Sequence, residues 1–203
     1  MQIYNFEQRT PEWYAIRLGK LTASKASVIA VQGKGLDTLC LNCASEILAN
    51  RKAETINTPA MEQGKTLEDN ARFAFEAETG LCVEEVGFCE YNAYVGCSPD
   101  GFVGDNALIE IKCPQDNTYT KFLFDGEIKS EHYWQMQMQM LITERALCYY
   151  VVYNPNFEQS ICIKQVAANV QDQQKLQQGL DVGVKKITKI LSVIESKKGK
   201  IDE

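Results

Sequence analysis

The stretch Gly96-Cys97-Ser98-Pro99-Asp100-Gly101, followed by Leu108-Ile109-Glu110-Ile111-Lys112-Cys113-Pro114, holds the side chains best suited to chemistry. Asp100 falls at the end of a strand, in a tight Pro-Asp-Gly turn. Glu110 and Lys112 are two apart on a predicted strand, so their side chains share one face. Ile109 and Ile111 then point the other way, into the core. An aspartate and a glutamate brought together at a strand edge repel each other unless a positive charge lies between them. Mg2+ suits that place, because it takes oxygen ligands and keeps several waters. The backbone carbonyl of Ile111 offers a further oxygen. Lys112 beside the carboxylates would hold an anionic substrate or orient an attacking water. Metal, activated water and cation together make a set for phosphodiester hydrolysis. On a solvated edge the same residues would form a Glu110–Lys112 ion pair and an ordinary turn, so the short pattern decides nothing alone.

Elements must bring these residues together. Residues 11–30 read as short helical pieces around the turn Arg17-Leu18-Gly19-Lys20, and Gly33-Lys34-Gly35 reads as a loop. Asp37 is placed to cap a helix that carries Cys40, Leu41, Ala44, Ile47 and Leu48 at helical spacing. A second helix is expected from about Met61 to Thr79, ended by Gly80. Short β-rich segments follow at 81–90, 93–97, 101–103 and 107–112, separated by Asn, Gly, Pro and Asp. A short helix at 118–124 and a helix capped by Ser130 and running to about Thr143 come next. The apolar strand 147–153 turns at Asn154-Pro155-Asn156 into an antiparallel partner at 160–166. A last helix spans about 170–196, with Leu176, Leu180, Ile187, Leu191 and Ile194 on one stripe, and the tail from Lys197 is expected to fray. This order predicts an α+β (mixed α/β) domain, a small central mixed sheet flanked by helices.

Composition bounds the function. The chain has 203 residues, 45% of them apolar and 24% charged, which suits one globular domain rather than disorder or a coiled coil. No apolar run approaches the roughly 20 residues of a membrane helix. The N-terminus lacks a basic start followed by an apolar core, so no signal peptide is read and a cytoplasmic location is expected. The net charge of −6 excludes a surface coated with basic residues for tight, sequence-blind wrapping of long DNA, but not a local basic pocket. Eight cysteines include one C-x-x-C, Cys40 and Cys43, with no second pair and the lone His132 far away. Reduced, mostly buried thiols are expected rather than disulfides, zinc or an iron–sulfur cluster.

Several further segments join the Asp100–Lys112 stretch. They are Trp13…Arg17-Leu18-Gly19…Thr22-Ala23-Ser24, Gly64…Glu68-Asp69-Asn70-Ala71-Arg72, and the glutamine-rich Tyr133–Met140, where Gln135 and Gln139 share a helical face and Gln137 does not. In order and spacing the set resembles the lambda exonuclease (YqaJ-like) family of PD-(D/E)XK nucleases over about residues 5–155. The resemblance implies a restriction-endonuclease-like core at about 60–155 within a single nuclease domain. It implies that Asp100, Glu110 and the Ile111 carbonyl hold metal, that Lys112 is the catalytic lysine, and that Glu68 supports a second metal position through water. Gln135 matches the glutamine that completes the site. Arg17, Ser24 and Ser98, with Lys112, match a 5′-phosphate pocket, and Met61 matches an apolar wedge that splits the last base pairs. Glu90 stands where lambda exonuclease has an aspartate and is expected to act only indirectly.

The activity so implied is Mg2+-dependent 5′→3′ resection of one strand of duplex DNA, by a ring-shaped homotrimer that releases mononucleotides beside a single-strand annealing protein in phage-type recombination. Mn2+ is expected to substitute. A site-specific endonuclease of the same superfamily and a catalytically silent DNA-end-binding subunit are the rival readings. The iron–sulfur nucleases of the superfamily carry three cysteines near the C-terminus, whereas only Cys148 and Cys162 follow Gln135 here.

Overall fold

The computed structural model describes the backbone of residues 1–51 and 59–198; the side chains of 59–66 and of 198 lie outside the description. The strands are β1 (Gln2–Tyr4), β2 (Leu21–Thr22), β3 (Val83–Glu84), β4 (Phe88–Asn92), β5 (Val95–Cys97), β6 (Gly101–Val103), β7 (Ala107–Lys112), β8 (Leu147–Tyr153) and β9 (Ile161–Ala167). The helices are α1 (Pro11–Ile16), α2 (Ala26–Val31), α3 (Lys34–Ala49), α4 (Pro59–Thr79), α5 (Asp116–Asp125), α6 (Ser130–Thr143) and α7 (Val170–Lys198), with a 3-10 turn at Ala23–Lys25.

The strands form two mixed sheets. One has the order β1-β4-β5-β2 and the other β3-β6-β7-β8-β9. Tight antiparallel pairings join β6 to β7 and β8 to β9. Strand β8 runs parallel to β7, in register Glu110↔Tyr150, and a parallel neighbour needs a crossover, which α5 and α6 supply. The second parallel pair, β2 with β5, sets Thr22 against Gly96.

Strand β7 is the middle strand of five and is covered on both faces. Ile109, Ile111 and Val151 pack against Ala71 and Phe75 of α4. On the other face Leu108, Tyr150 and Val152 join Met136, Met138 and Met140 of α6 and Leu176, Leu180 and Ile187 of α7. Glu110 is therefore 1% exposed, which sets aside the reading of a solvated surface ion pair. Short strands and a helix on each side account for this, because the Glu110 face lies beneath α6 rather than open to water.

Helix α7 lies close on α2 because its inner face is notched. A Cβ on Gly179 would stand 2.1 Å from the Ile29 carbonyl oxygen. Leu191 and Ile194, expected on the buried stripe, are only partly covered, since α7 runs past the end of the core. Five cysteines, Cys40, Cys43, Cys89, Cys97 and Cys148, are buried free thiols. Among the described residues no helix is long and apolar enough to cross a membrane.

Other departures have local causes. Helix α3 starts at Lys34, with Gly33 extended as its N-cap, so the expected Gly33–Gly35 loop is a helix start. Asp37 instead sits in the first turn, where it favours the helix dipole and pairs with Lys186 of α7. Lys129 rather than Ser130 caps α6, without a side-chain bond. Strand β1 had no sequence signal of its own and forms by pairing with β4. The end of the tail, 199–203, lies outside the described residues.

Candidate active site

Asp100 begins the site. It follows the turn out of β5, and its carboxylate folds over to the neighbouring strand, where Oδ2 accepts a 2.6 Å bond from the Ile111 amide. That bond replaces the next rung of the β6–β7 ladder, which ends at Gly101↔Ile109. In a strand the N–H and C=O of one residue point to the same edge, so the Ile111 carbonyl also faces the gap beside Asp100.

Glu110 stands one pleat from Lys112, and the two side chains are joined through Glu110 Oε1. The other oxygen, Oε2, accepts a 2.7 Å bond from Gln139 Nε2 on α6. A buried carboxylate is tolerable only when paired and hydrogen-bonded, and Glu110 has both. Burial and the charges of Glu110 and Glu68 push the Asp100 carboxyl well above its ordinary range, against the weaker pull of Lys112 and the Ile111 amide. For Lys112, burial pulls the ammonium down, but the Glu110 and Asp100 charges together outweigh it and hold it above its ordinary value. One lysine thus faces two buried carboxylates.

That imbalance is what a divalent cation would correct. The donor set is all oxygen, which suits Mg2+ rather than a thiolate- or imidazole-seeking metal. Among the described residues no three His, Cys, Asp or Glu side chains converge at ligand distance. Two carboxylates, the Ile111 carbonyl and waters are nevertheless a fitting set, since Mg2+ commonly uses one or two carboxylates and keeps waters. Gln139 Oε1 is buried without a hydrogen-bond partner among the described residues.

Glu68, on α4, lines a groove of about 400 Å³ together with Asp100. It is held there by Arg9, a residue in the left-handed region at φ 70°. Nothing in the residue spacing points to Arg9, since a polar residue ahead of a helix cap is unremarkable. The neighbouring Gln8 ties the same segment to the site, donating to the Pro99 carbonyl at 2.8 Å and to that of Val86 at 2.9 Å.

The two glutamines on the shared face of α6 stand differently toward the carboxylates. Gln139, not Gln135, bonds Glu110; Gln135 lies one turn earlier on the same face, half-buried, and makes no hydrogen bond among the described residues. The shared face was legible, but which turn of α6 lies over Glu110 depends on how the helix docks. Gln137 faces away and bridges the Ala167 carbonyl and the Asn169 amide.

Arg17 and Ser98 meet directly. Arg17 Nη1 donates to Ser98 Oγ at 2.8 Å, and Trp13 Nε1 donates to the same oxygen at 2.9 Å. The guanidinium lies 4.1 Å over the Trp13 ring. Burial lowers Arg17 to about 10, so it stays charged at neutral pH, and its Nε has no partner among the described residues. Gly19, at φ +67°, makes the turn that follows, and a Cβ there would strike Ile47. The parallel Thr22↔Gly96 register sends the two chains side by side toward Ser24 and Ser98. Ser24 is exposed and its Oγ lies 3.3 Å from Thr22 Oγ1. Glu90 lies elsewhere on β4, accepting from Lys20 at 2.7 Å and Tyr4 at 3.0 Å, which is a structural role. Met61 is on α4, with its side chain outside the described residues.

The family model of the YqaJ-like viral recombinase domain matches residues 12–146. The chain belongs to that family. Among solved structures it is similar to an alkaline exonuclease from Laribacter hongkongensis, with 31% identity, TM-score 0.88, and 95% of this chain and 100% of that chain covered. The same exonuclease in complex with dAMP matches at 30% identity and TM-score 0.87, over 95% of this chain and 100% of that one. A phage-related exonuclease from Haemophilus somnus 129PT shares the fold at 15% identity and TM-score 0.66, covering 86% of this chain and 96% of that one. No curated protein sequence matches. The YqaJ-like match spans every segment from Arg17 to Gln139 that meets at the site.

Proposed function

We propose that this chain is a Mg2+-dependent 5′→3′ exodeoxyribonuclease that resects one strand of linear duplex DNA from a 5′-phosphorylated end, releasing mononucleotides and leaving a 3′ overhang for strand annealing. The observation that carries this reading is the buried Asp100–Glu110–Lys112 cluster beside the Arg17–Ser98 pair. The likeness to an alkaline exonuclease supports it. The dAMP complex of that relative supports a deoxynucleoside monophosphate as the leaving species.

Each residue then has a task. Arg17, fixed by Trp13 and Ser98, holds the terminal 5′-phosphate, with Ser24 at the rim. That grip sets the next phosphodiester over the carboxylates, an orientation effect that lowers the barrier. Lys112 holds the scissile phosphate and balances its charge. Gln139 keeps Glu110 aimed, and Arg9 does the same for Glu68. Asp100, Glu110, the Ile111 carbonyl and, through water, Glu68 would hold two ions. Bound there, Mg2+ or Mn2+ supplies Lewis acidity for activating water and stabilising the leaving oxygen. A homotrimeric ring around the DNA, an annealing-protein partner and a wedge at Met61 complete the proposal.

The test is digestion of duplex labelled at one end, with Mg2+, comparing 5′-phosphate, 5′-hydroxyl and closed-circular DNA. Mononucleotides from phosphorylated linear ends, with circles intact, are expected. Cut circles would assign the site to an endonuclease, and uncut DNA of every form would leave an end-binding subunit.

A further inference from the structure

A second cavity opens next to the carboxylate cluster and is unused by the roles above. It encloses about 370 Å³ between α5, the start of α6 and β8, and Lys112 is in its wall. Three rings line it: Phe122, His132 and Tyr150. Tyr150 sits edge-on to Phe122 at 5.9 Å and 5.8 Å from His132. The His132–Tyr150 hydrogen bond, 2.8 Å from Nδ1 to the hydroxyl, fixes two of these rings. Ile128 and Val152 add aliphatic wall.

The cavity lies on a defined side of the reacting centre. In the strand order β3-β6-β7-β8-β9, Asp100 and Ser98 precede β6, on one side of β7, while Tyr150 and Val152 belong to β8, on the other. Arg17 is bonded to Ser98. The sequence of sites across the molecule is therefore phosphate grip, carboxylates with Lys112, then the ring-lined cavity. A strand held by its 5′-phosphate at Arg17 and cut at Lys112 would have this cavity next along that line.

We propose that the cavity receives one unpaired nucleobase, that of the second nucleotide from the 5′ end, whose phosphate is the one cleaved. This rests on the exonuclease reading. The chemistry matches a base and little else on the strand. Aromatic walls stack on any base without regard to sequence, and the volume admits a single ring system but no base pair. The mouth carries both signs, Lys121 and Lys129 with Asp125 and Glu127. A doubly charged phosphate gains little from such a mixture, whereas every base offers both donors and acceptors to it. Seating this base pulls the second nucleotide out of the duplex and fixes the scissile phosphate from its far side, as Arg17 fixes it from the near side.

The experiment crosses a substrate change with a protein change. 5′-Phosphorylated duplexes carry an abasic residue at nucleotide 1, at nucleotide 2, or nowhere. The proteins are wild type, Ile128→Trp to fill the cavity, and His132→Ala to remove one wall, each checked by thermal melting. Binding is read by fluorescence anisotropy in EDTA, and single-turnover release with Mg2+. For wild type, the abasic residue at nucleotide 2 should weaken binding about tenfold, the usual scale of one stacked base, and the one at nucleotide 1 should not. Ile128→Trp should weaken binding of intact duplex by a similar factor and show no further loss with the abasic residue at nucleotide 2. His132→Ala should give the same pattern with smaller losses. Multiplying losses in the doubly altered pairs, or equal effects at nucleotides 1 and 2, would overturn the base site. Intact duplex left undigested by wild type would instead overturn the exonuclease reading.

Discussion

Lys112 and Arg17 are the two cations proposed to face a phosphate, and they differ in what they are tied to. Lys112 is tied to Glu110 and in the proposed reaction serves the bond that breaks; Arg17 is tied to Ser98 and Trp13 and in the same proposal serves the end that is gripped. Lys112→Ala should lower the single-turnover rate by about 10²–10³-fold, the cost of losing one preorganised stabilising group, and should also lower the melting temperature, because it leaves the buried Glu110 without its cation. Arg17→Ala should leave cleavage chemistry in place but reduce the preference for 5′-phosphate over 5′-hydroxyl about tenfold or more, as loss of a charged hydrogen bond implies. Rates on the two ends measured side by side decide it, and an unchanged ratio would remove Arg17 from the grip. At this scale Asp100, Glu110 and Lys112 were legible, because the strand period alone aligns Glu110 with Lys112. Gln139 and Arg9 were not, because their roles depend on how α6 docks and on a left-handed backbone turn, and neither leaves a mark in spacing.

Elements were legible where periodicity and punctuation agreed. Strand β8 occupies the expected 147–153, and α4 ends at Gly80, which adopts φ +71°. Signals failed where a residue had two uses. Gly33 and Gly35 read as loop, yet Gly33 is an N-cap, and Asp37 read as a cap while serving the dipole and Lys186. The short β1 and β2 are made by their partners rather than by propensity. Helix α7, which carries no motif, matters through its packing on α2, the element that follows Ser24. Gly179→Ala would place a methyl 2.1 Å from the Ile29 carbonyl. Such overpacking costs about 1–3 kcal/mol, which for a chain of this size lowers the melting temperature by several degrees. A scanning calorimetry trace unchanged by the substitution would mean that α7 can shift outward freely.

The whole molecule is acidic, at −6, while its proposed substrate is a polyanion. The proposed ring would reconcile the two, since encirclement retains DNA without a large phosphate-binding surface. In the site, Lys112 pairs with Glu110 and Arg9 with Glu68, which leaves Asp100 as the carboxylate without a cation of its own. Adding Mg2+ should therefore raise the melting temperature, by about 1.4 kcal/mol of stability at roughly ten times the dissociation constant. EDTA should stop cleavage and reverse that shift without unfolding the protein. Far-ultraviolet circular dichroism against temperature, with and without EDTA, checks both statements.

The crossover between β7 and β8 also orders events in time. Glu110 and Tyr150 are paired although 40 residues separate them, and Gln139, which satisfies Glu110, lies inside that connection. The β6–β7 hairpin and its Asp100–Ile111 bond close early, because short loops cost least entropy. Glu110 gains its cover only when the distant strand arrives and α6 is laid across the sheet, the slow kind of non-local contact. During refolding, recovery of catalysis should trail recovery of secondary structure, so a nascent chain acquires its cutting power only after β8 has been made.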